Sequence, residues 1–135
     1  MIAQRPVLVD SNVLLDAFAR DSEWYDWSTA ALTDSYGRLA INPVIYAEVS
    51  AGFDHVEEVD RQPPEDDYLR LPLPYSAAFL ADKAFLAYRR AGGIRRSPLP
   101  DFFIGAHAAV ERLALLTRDP ARYRAYFPKL ELIAP

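Results

Sequence analysis

The chain contains no cysteine, which excludes a disulfide framework, a thiolate nucleophile and a sulfur-ligated zinc site, so any metal has to be held by oxygen or histidine. Only two histidines are present, which leaves oxygen as the main candidate donor. There is also no apolar run near the roughly 20 residues needed to cross a bilayer, and the N-terminus has neither a basic leader nor a small-residue cleavage site. A soluble, cytoplasmic protein without membrane attachment is expected. Lysine is scarce, because thirteen of the fifteen basic residues are arginine. The planar arginine fork suits phosphate, but a GC-rich genome produces the same bias without any functional cause.

With 135 residues, 51% of them hydrophobic, the chain has the proportions of one compact domain covering 1–135. A net charge of -4 argues against nucleic acid only until it is located. Residues 54–75 hold seven acids (Asp54, Glu57, Glu58, Asp60, Glu65, Asp66, Asp67) against Arg61 and Arg70, a local balance of -5 that leaves +1 elsewhere. The remainder is compatible with a phosphate backbone.

Pro6-Val7-Leu8-Val9 predicts a strand, and Asp10-Ser11-Asn12 ahead of Val13-Leu14-Leu15 predicts a turn into a helix. A second helix is expected over residues 23–35, with Trp24, Trp27 and Ala31 on one face and Gly37 after its end. Leu39-Ala40-Ile41 reads as a strand. Asn42 as cap and Pro43 at the first position then predict a helix over 44–51 that carries Glu48. Pro63, Pro64, Pro72 and Pro74 break the acidic stretch into short helical or extended pieces, expected as a mobile connection. A helix follows over 76–91, stopped by Gly92-Gly93, and then a basic loop with Arg95 and Arg96 leads to Asp101. From Phe102 to Val110 only His107 is polar, which predicts a helix buried on most of its surface. Strands are expected at 113–116, ending in Thr117-Arg118-Asp119, and at 130–133.

Strands alternating with helices imply a mostly parallel sheet of about four or five strands covered on both faces, with ligands beyond the carboxyl ends of the strands. Asp10 and Asp119 follow strands, Asp101 opens a helix at that same edge, and Glu48 lies about one and a half turns into its helix. Taken singly, Asp10, Asp101 and Asp119 stand where an aspartate simply caps a helix or shapes a turn, whereas Glu48, beside Val44 and Ala51 on a helix with few other polar groups, is harder to dismiss as a solvated acid, the alternative being an exposed stripe. Convergence changes that balance. Crowded carboxylates repel and destabilise the fold unless a cation sits among them, and a hard ion such as Mg²⁺ or Mn²⁺ is the natural partner for oxygen donors.

Four motifs carry a family resemblance: Val9-Asp10-Ser11-Asn12-Val13-Leu14-Leu15-Asp16, then Pro43-Val44-Ile45-Tyr46-Ala47-Glu48, then Pro100-Asp101-Phe102-Phe103-Ile104-Gly105-Ala106-His107-Ala108, and last Leu116-Thr117-Arg118-Asp119 with Tyr123 and Phe127 beyond it. In this order and at this spacing they resemble the PIN-domain ribonucleases of the VapC toxin type. The resemblance implies a three-layer α/β sandwich and metal-dependent RNA hydrolysis leaving 5′-phosphate and 3′-hydroxyl ends. Asp10 and Asp101 would hold the main Mg²⁺ (or Mn²⁺), and Asp119 and Glu48 would bind a second ion or orient the attacking water. Ser11, Asn12 and Thr117 would fix those carboxylates through hydrogen bonds. Arg95 and Arg96 are candidates to guide the RNA backbone, against the plainer reading of a solvated loop. An antitoxin partner and a homodimer are also implied.

His107 lies six positions beyond Asp101 on the same helix, turned away from it, and is expected as a hydrogen-bonded core histidine. Trp24 and Trp27 are expected to pack rather than to stack on bases. Asp16 and Asp21 are expected at the surface, and His55 has no evident partner. Two other classes compete. A phosphoacceptor signalling domain needs a lysine just after a late strand, and neither Lys83 nor Lys129 is so placed. A non-catalytic RNA- or protein-binding module on the same fold is opposed by acids at every motif. A possibility related to these, an aspartyl-nucleophile phosphatase, is weakened because Asn12 stands where a second Asp is wanted.

Overall fold

The computed structural model describes residues 5–20, 22–62, 66–93 and 99–135. Its elements follow the alternation read from the sequence: β1 (Val7–Val9), α1 (Ser11–Phe18), α2 (Tyr25–Asp34), β2 (Leu39–Ile41), α3 (Pro43–Ser50), α4 (Val56–Arg61), β3 (Leu69–Arg70), α5 (Tyr75–Arg90), α6 (Leu99–Glu111), β4 (Ala114–Leu116), α7 (Ala121–Tyr126) and β5 (Leu132–Ile133). The five strands form one sheet in the order β3-β2-β1-β4-β5, and every neighbouring pair is parallel. Parallel strands need crossovers, and the helices between them supply these while covering the sheet.

Burial explains the short, unalternating strands. All three residues of β1, β2 and β4 are buried, so each strand is apolar on both faces. Val7 pairs with Leu39 on one side and Ala114 on the other, which puts β1 at the centre. The residue that follows each of these three strands is polar and buried: Asp10 after β1, Asn42 after β2 and Thr117 after β4. A buried polar group is tolerated only with a partner, so this row marks the carboxyl edge as the chemically distinctive part of the sheet.

Asn42 shows how the edge is built. Its side chain accepts a hydrogen bond from the Ile45 amide at 2.9 Å and so caps α3, while its amide nitrogen lies 2.9 Å from Nδ1 of His107. His107 is fully buried and its Nε2 lies 3.0 Å from Glu111, which makes it a bridge between α3 and α6. Gly105 lets α6 approach the end of the chain, because a Cβ there would come within 2.6 Å of the Phe127 ring and 3.0 Å of Tyr123.

Several expectations are revised. The acidic stretch contains α4 and the edge strand β3, which extends the sheet beyond β2, so it is more than a connection. Apolar pattern alone did not reveal β3, because both of its residues are exposed. Helix α7, too short for a periodic signal, was not anticipated. Asp16 is not a surface acid: it is buried at 7% exposure. It accepts hydrogen bonds from Ser28 at 3.0 Å and from Nε of Arg118 at 2.7 Å. Trp27 packs on the core, and the half-buried Trp24 meets it edge to face with Arg118 over its ring. His55 is exposed at the start of α4. Arg95, Arg96 and Asp21 lie outside the described residues.

Candidate active site

Four segments of the chain deliver acids to one place. Asp10 comes from the end of β1, Glu48 from α3, Asp101 from the first turn of α6, and Asp119 from the turn between β4 and α7. These four line a single cleft of about 440 Å³ together with Ser11, Asn12, Ala121, Arg122 and Tyr123. They come from positions up to 109 residues apart in the chain, so only the parallel sheet brings them together.

Each carboxylate has a partner of its own. Asp10 Oδ2 accepts from the Thr117 hydroxyl at 2.8 Å and from the Tyr123 hydroxyl at 2.9 Å. Glu48 Oε1 accepts from the Ser11 hydroxyl at 2.9 Å. Asp119 Oδ2 accepts from the Asn12 amide at 3.3 Å and has Arg118 at 3.6 Å, although it stands exposed on the lip. Asp101 Oδ2 is in a close ion pair with Arg122.

Electrostatics set Asp10, Glu48 and Asp101 apart from ordinary surface carboxylates. Burial, reinforced by the charges of Asp101 and Glu48 against the hydrogen bonds of Thr117 and Tyr123, pushes Asp10 from the ordinary 3.8 up to about 6. Burial also raises Glu48, with Ser11 opposing and Asp101 adding to the rise. Asp101 is likewise raised by burial, although Arg122 pulls it down. The Tyr123 phenol, enclosed beside Asp10 and Asp101, is raised well above 10 and stays a neutral donor.

The donor chemistry fits a hard divalent cation: four carboxylates line one cleft, with no thiol, and His107 is committed to Asn42 and Glu111. As they stand, no three acidic or histidine side chains among the described residues are arranged as a ready-made metal cage.

Arg122 and Asp16 are the two contributors the sequence did not single out. Asp16, through Arg118, ties the β4–α7 turn to α1, and that turn also carries Thr117 and Asp119. The Arg118 amide is held in turn by Asn12 Oδ1 at 3.2 Å. The available signal was the repeat of an acid six residues after Asp10 and an arginine directly before Asp119. For Arg122 the signal was a cation inside the last motif, between Asp119 and Tyr123.

A family model described as PIN domain matches residues 7–128. No curated protein matches the chain in sequence. Among solved structures, the fold is similar to a chain of VapBC2 from Rickettsia felis bound to a DNA fragment from their promoter, with a TM-score of 0.70 at 17% identity over 96% of this chain and 98% of that one. A chain of a toxin-antitoxin complex from Klebsiella pneumoniae superposes with a TM-score of 0.66 at 23% identity, covering 94% of this chain and 95% of that one. DNA-bound VapBC from Salmonella typhimurium gives a TM-score of 0.68 at 16% identity, covering 97% and 98%.

Proposed function

The chain belongs to the PIN-domain family, and from that premise we propose that it is a metal-dependent endoribonuclease acting as the toxin of a toxin-antitoxin pair. The observation that carries this reading is the convergence of Asp10, Glu48, Asp101 and Asp119 on one cleft at the carboxyl edge of the sheet. Burying an acid beside other acids is a standing cost, expressed in Asp10, which burial first and the charges of Asp101 and Glu48 second raise, and a cation-dependent reaction is what gives such an arrangement a use.

Asp10 and Asp101 are proposed to hold Mg²⁺ or Mn²⁺, with Asp119 and Glu48 completing the donor set. When bound, the cation lowers the pKa of water and neutralises charge on a phosphodiester. The chain's own residues do the rest. Thr117 and Tyr123 fix Asp10 from two sides, and Ser11 fixes one oxygen of Glu48. Glu48, raised by burial, is suited to accept the proton of the attacking water. Hydrolysis adds the water oxygen to phosphorus and breaks its bond to the 3′ oxygen, leaving a 5′-phosphate and a 3′-hydroxyl. Arg95 and Arg96 are proposed to guide the RNA strand toward the cleft.

The toxin role and the antitoxin partner are supported by the likeness to chains from toxin-antitoxin complexes, and a homodimer is proposed beside them. Incubating the purified protein with total cellular RNA in Mg²⁺ or Mn²⁺, and in EDTA, tests the reading. Discrete new ends that disappear in EDTA are expected. A fragment pattern that EDTA leaves unchanged, or no fragments at all, would favour the non-catalytic binding module.

A further inference from the structure

The position of Arg122 is not explained by its own helix. It stands in the first turn of α7, where the positive end of the helix dipole disfavours a cation. What holds it lies across the cleft: the close ion pair with Asp101 Oδ2 and the Tyr88 ring, whose centroid is 5.6 Å from the guanidinium carbon. Tyr88 is itself fixed against Phe102 and Tyr126, so the guanidinium rests on a packed aromatic wall. Among the described residues lining the cleft, Arg122 is the one cation, set against four carboxylates.

Asp101 also differs from the other acids in what satisfies it. Asp10 and Glu48 are held by neutral hydroxyls, which supply no charge and remain in place beside a metal. Asp119 has Arg118 at 3.6 Å, but on the exposed lip. Asp101 alone is closed by a tightly paired guanidinium inside the cleft, on an oxygen that a divalent ion would need. A guanidinium and a divalent cation repel strongly at such separations, so the two compete for Asp101.

We propose that Arg122 is the built-in counter-ion of this site: its guanidinium takes the cation's place beside Asp101 in the metal-free protein and is displaced when a divalent ion binds. The displaced fork stays on the rim of the same cleft, where an RNA phosphate offers it a new bidentate partner. Metal and RNA then favour each other, because each removes what opposes the other. This inference rests on the reading of the acids as a metal site.

Calorimetric titration of Mn²⁺ into the metal-free protein tests it, at a pH above the titration range of the carboxylates. Arg122→Gln is expected to bind Mn²⁺ on the order of tenfold more tightly than wild type, a shift of about 1.4 kcal/mol. Arg122→Met, which keeps the stem that packs on Tyr88, is expected to do the same, and Arg122→Lys to stay near wild type. A residue that merely supported the site would weaken binding when lost. Equal or weaker binding by both the Gln and the Met variants, with wild-type binding abolished by Asp10→Asn, overturns the counter-ion role and leaves the metal site standing. No Mn²⁺ binding by wild type overturns both.

Discussion

Replacing Asp10 with Asn is expected to stabilise the metal-free protein at neutral pH. Burial and the charges of Asp101 and Glu48 raise Asp10 from 3.8 to about 6, so the folded state binds this proton more tightly than the unfolded chain does. The sign follows: the group's favourable contribution is complete below pH 3.8 and is lost as the pH rises through about 6. At neutral pH the ionised side chain therefore opposes folding. At 1.36 kcal/mol per pH unit the rise amounts to about 3 kcal/mol, and for a chain of this size that is on the order of 10 °C in Tm. Asn is the informative replacement, because its carbonyl oxygen can still accept from Thr117 and Tyr123, the two donors on Asp10 Oδ2. Thermal melts of both proteins in EDTA, from acidic to neutral pH, are the assay. The gap in Tm should open as the pH rises through the carboxylate range and close again below it, and adding Mn²⁺ should raise the wild type alone. An Asn variant less stable than wild type at neutral pH, or a gap independent of pH, would refute the reasoning.

Other substitutions probe the supports of the site. Asp16→Ala leaves Arg118 and Ser28 without their shared acceptor and should cost about 2 kcal/mol in denaturant unfolding, with a loss of nuclease activity as the turn carrying Thr117 and Asp119 loosens. Gly105→Ala forces a methyl against Phe127 and Tyr123, and its expected cost of about 2 kcal/mol in the same experiment should come with weakened metal binding, since Tyr123 holds Asp10. Arg112 has φ 55 at the end of α6, a left-handed position that glycine fills without strain, so Arg112→Gly should raise stability by about 1 kcal/mol and leave metal binding unchanged.

The sheet and the four acids were legible because their signals are local and mutually consistent. Val7-Leu8-Val9, Leu39-Ala40-Ile41 and Ala114-Leu115-Leu116 are apolar throughout, as strands buried on both faces must be, and each runs straight into a polar residue. Asn42-Pro43 announces the start of α3 in two adjacent letters, and the structure shows the cap itself. His107 read as a core residue for the same reason that it is one: it is the single polar side chain between Phe102 and Val110, the mostly buried stretch of α6.

What stayed hidden depends on long-range partners. Leu69–Arg70 carries no strand pattern of its own, and its identity comes from pairing with Ala40 and Ile41. Asp16 resembles the polar face of an amphipathic helix until Arg118, 102 residues away, is brought beside it. Arg122 likewise becomes part of the site only through Asp101 and Tyr88, which lie on other helices. Composition and spacing cannot report such pairings.

The measurement closest to the central claim compares wild type with the Asp10→Ala, Asp101→Ala double variant on the same RNA in Mn²⁺, capturing 5′-phosphate ends and 5′-hydroxyl ends separately. The account predicts discrete captured cuts from the wild type and none from the variant, with both proteins folded by circular dichroism. Equal cutting by the two proteins, or wild-type cuts that lack the 5′-phosphate, would contradict it.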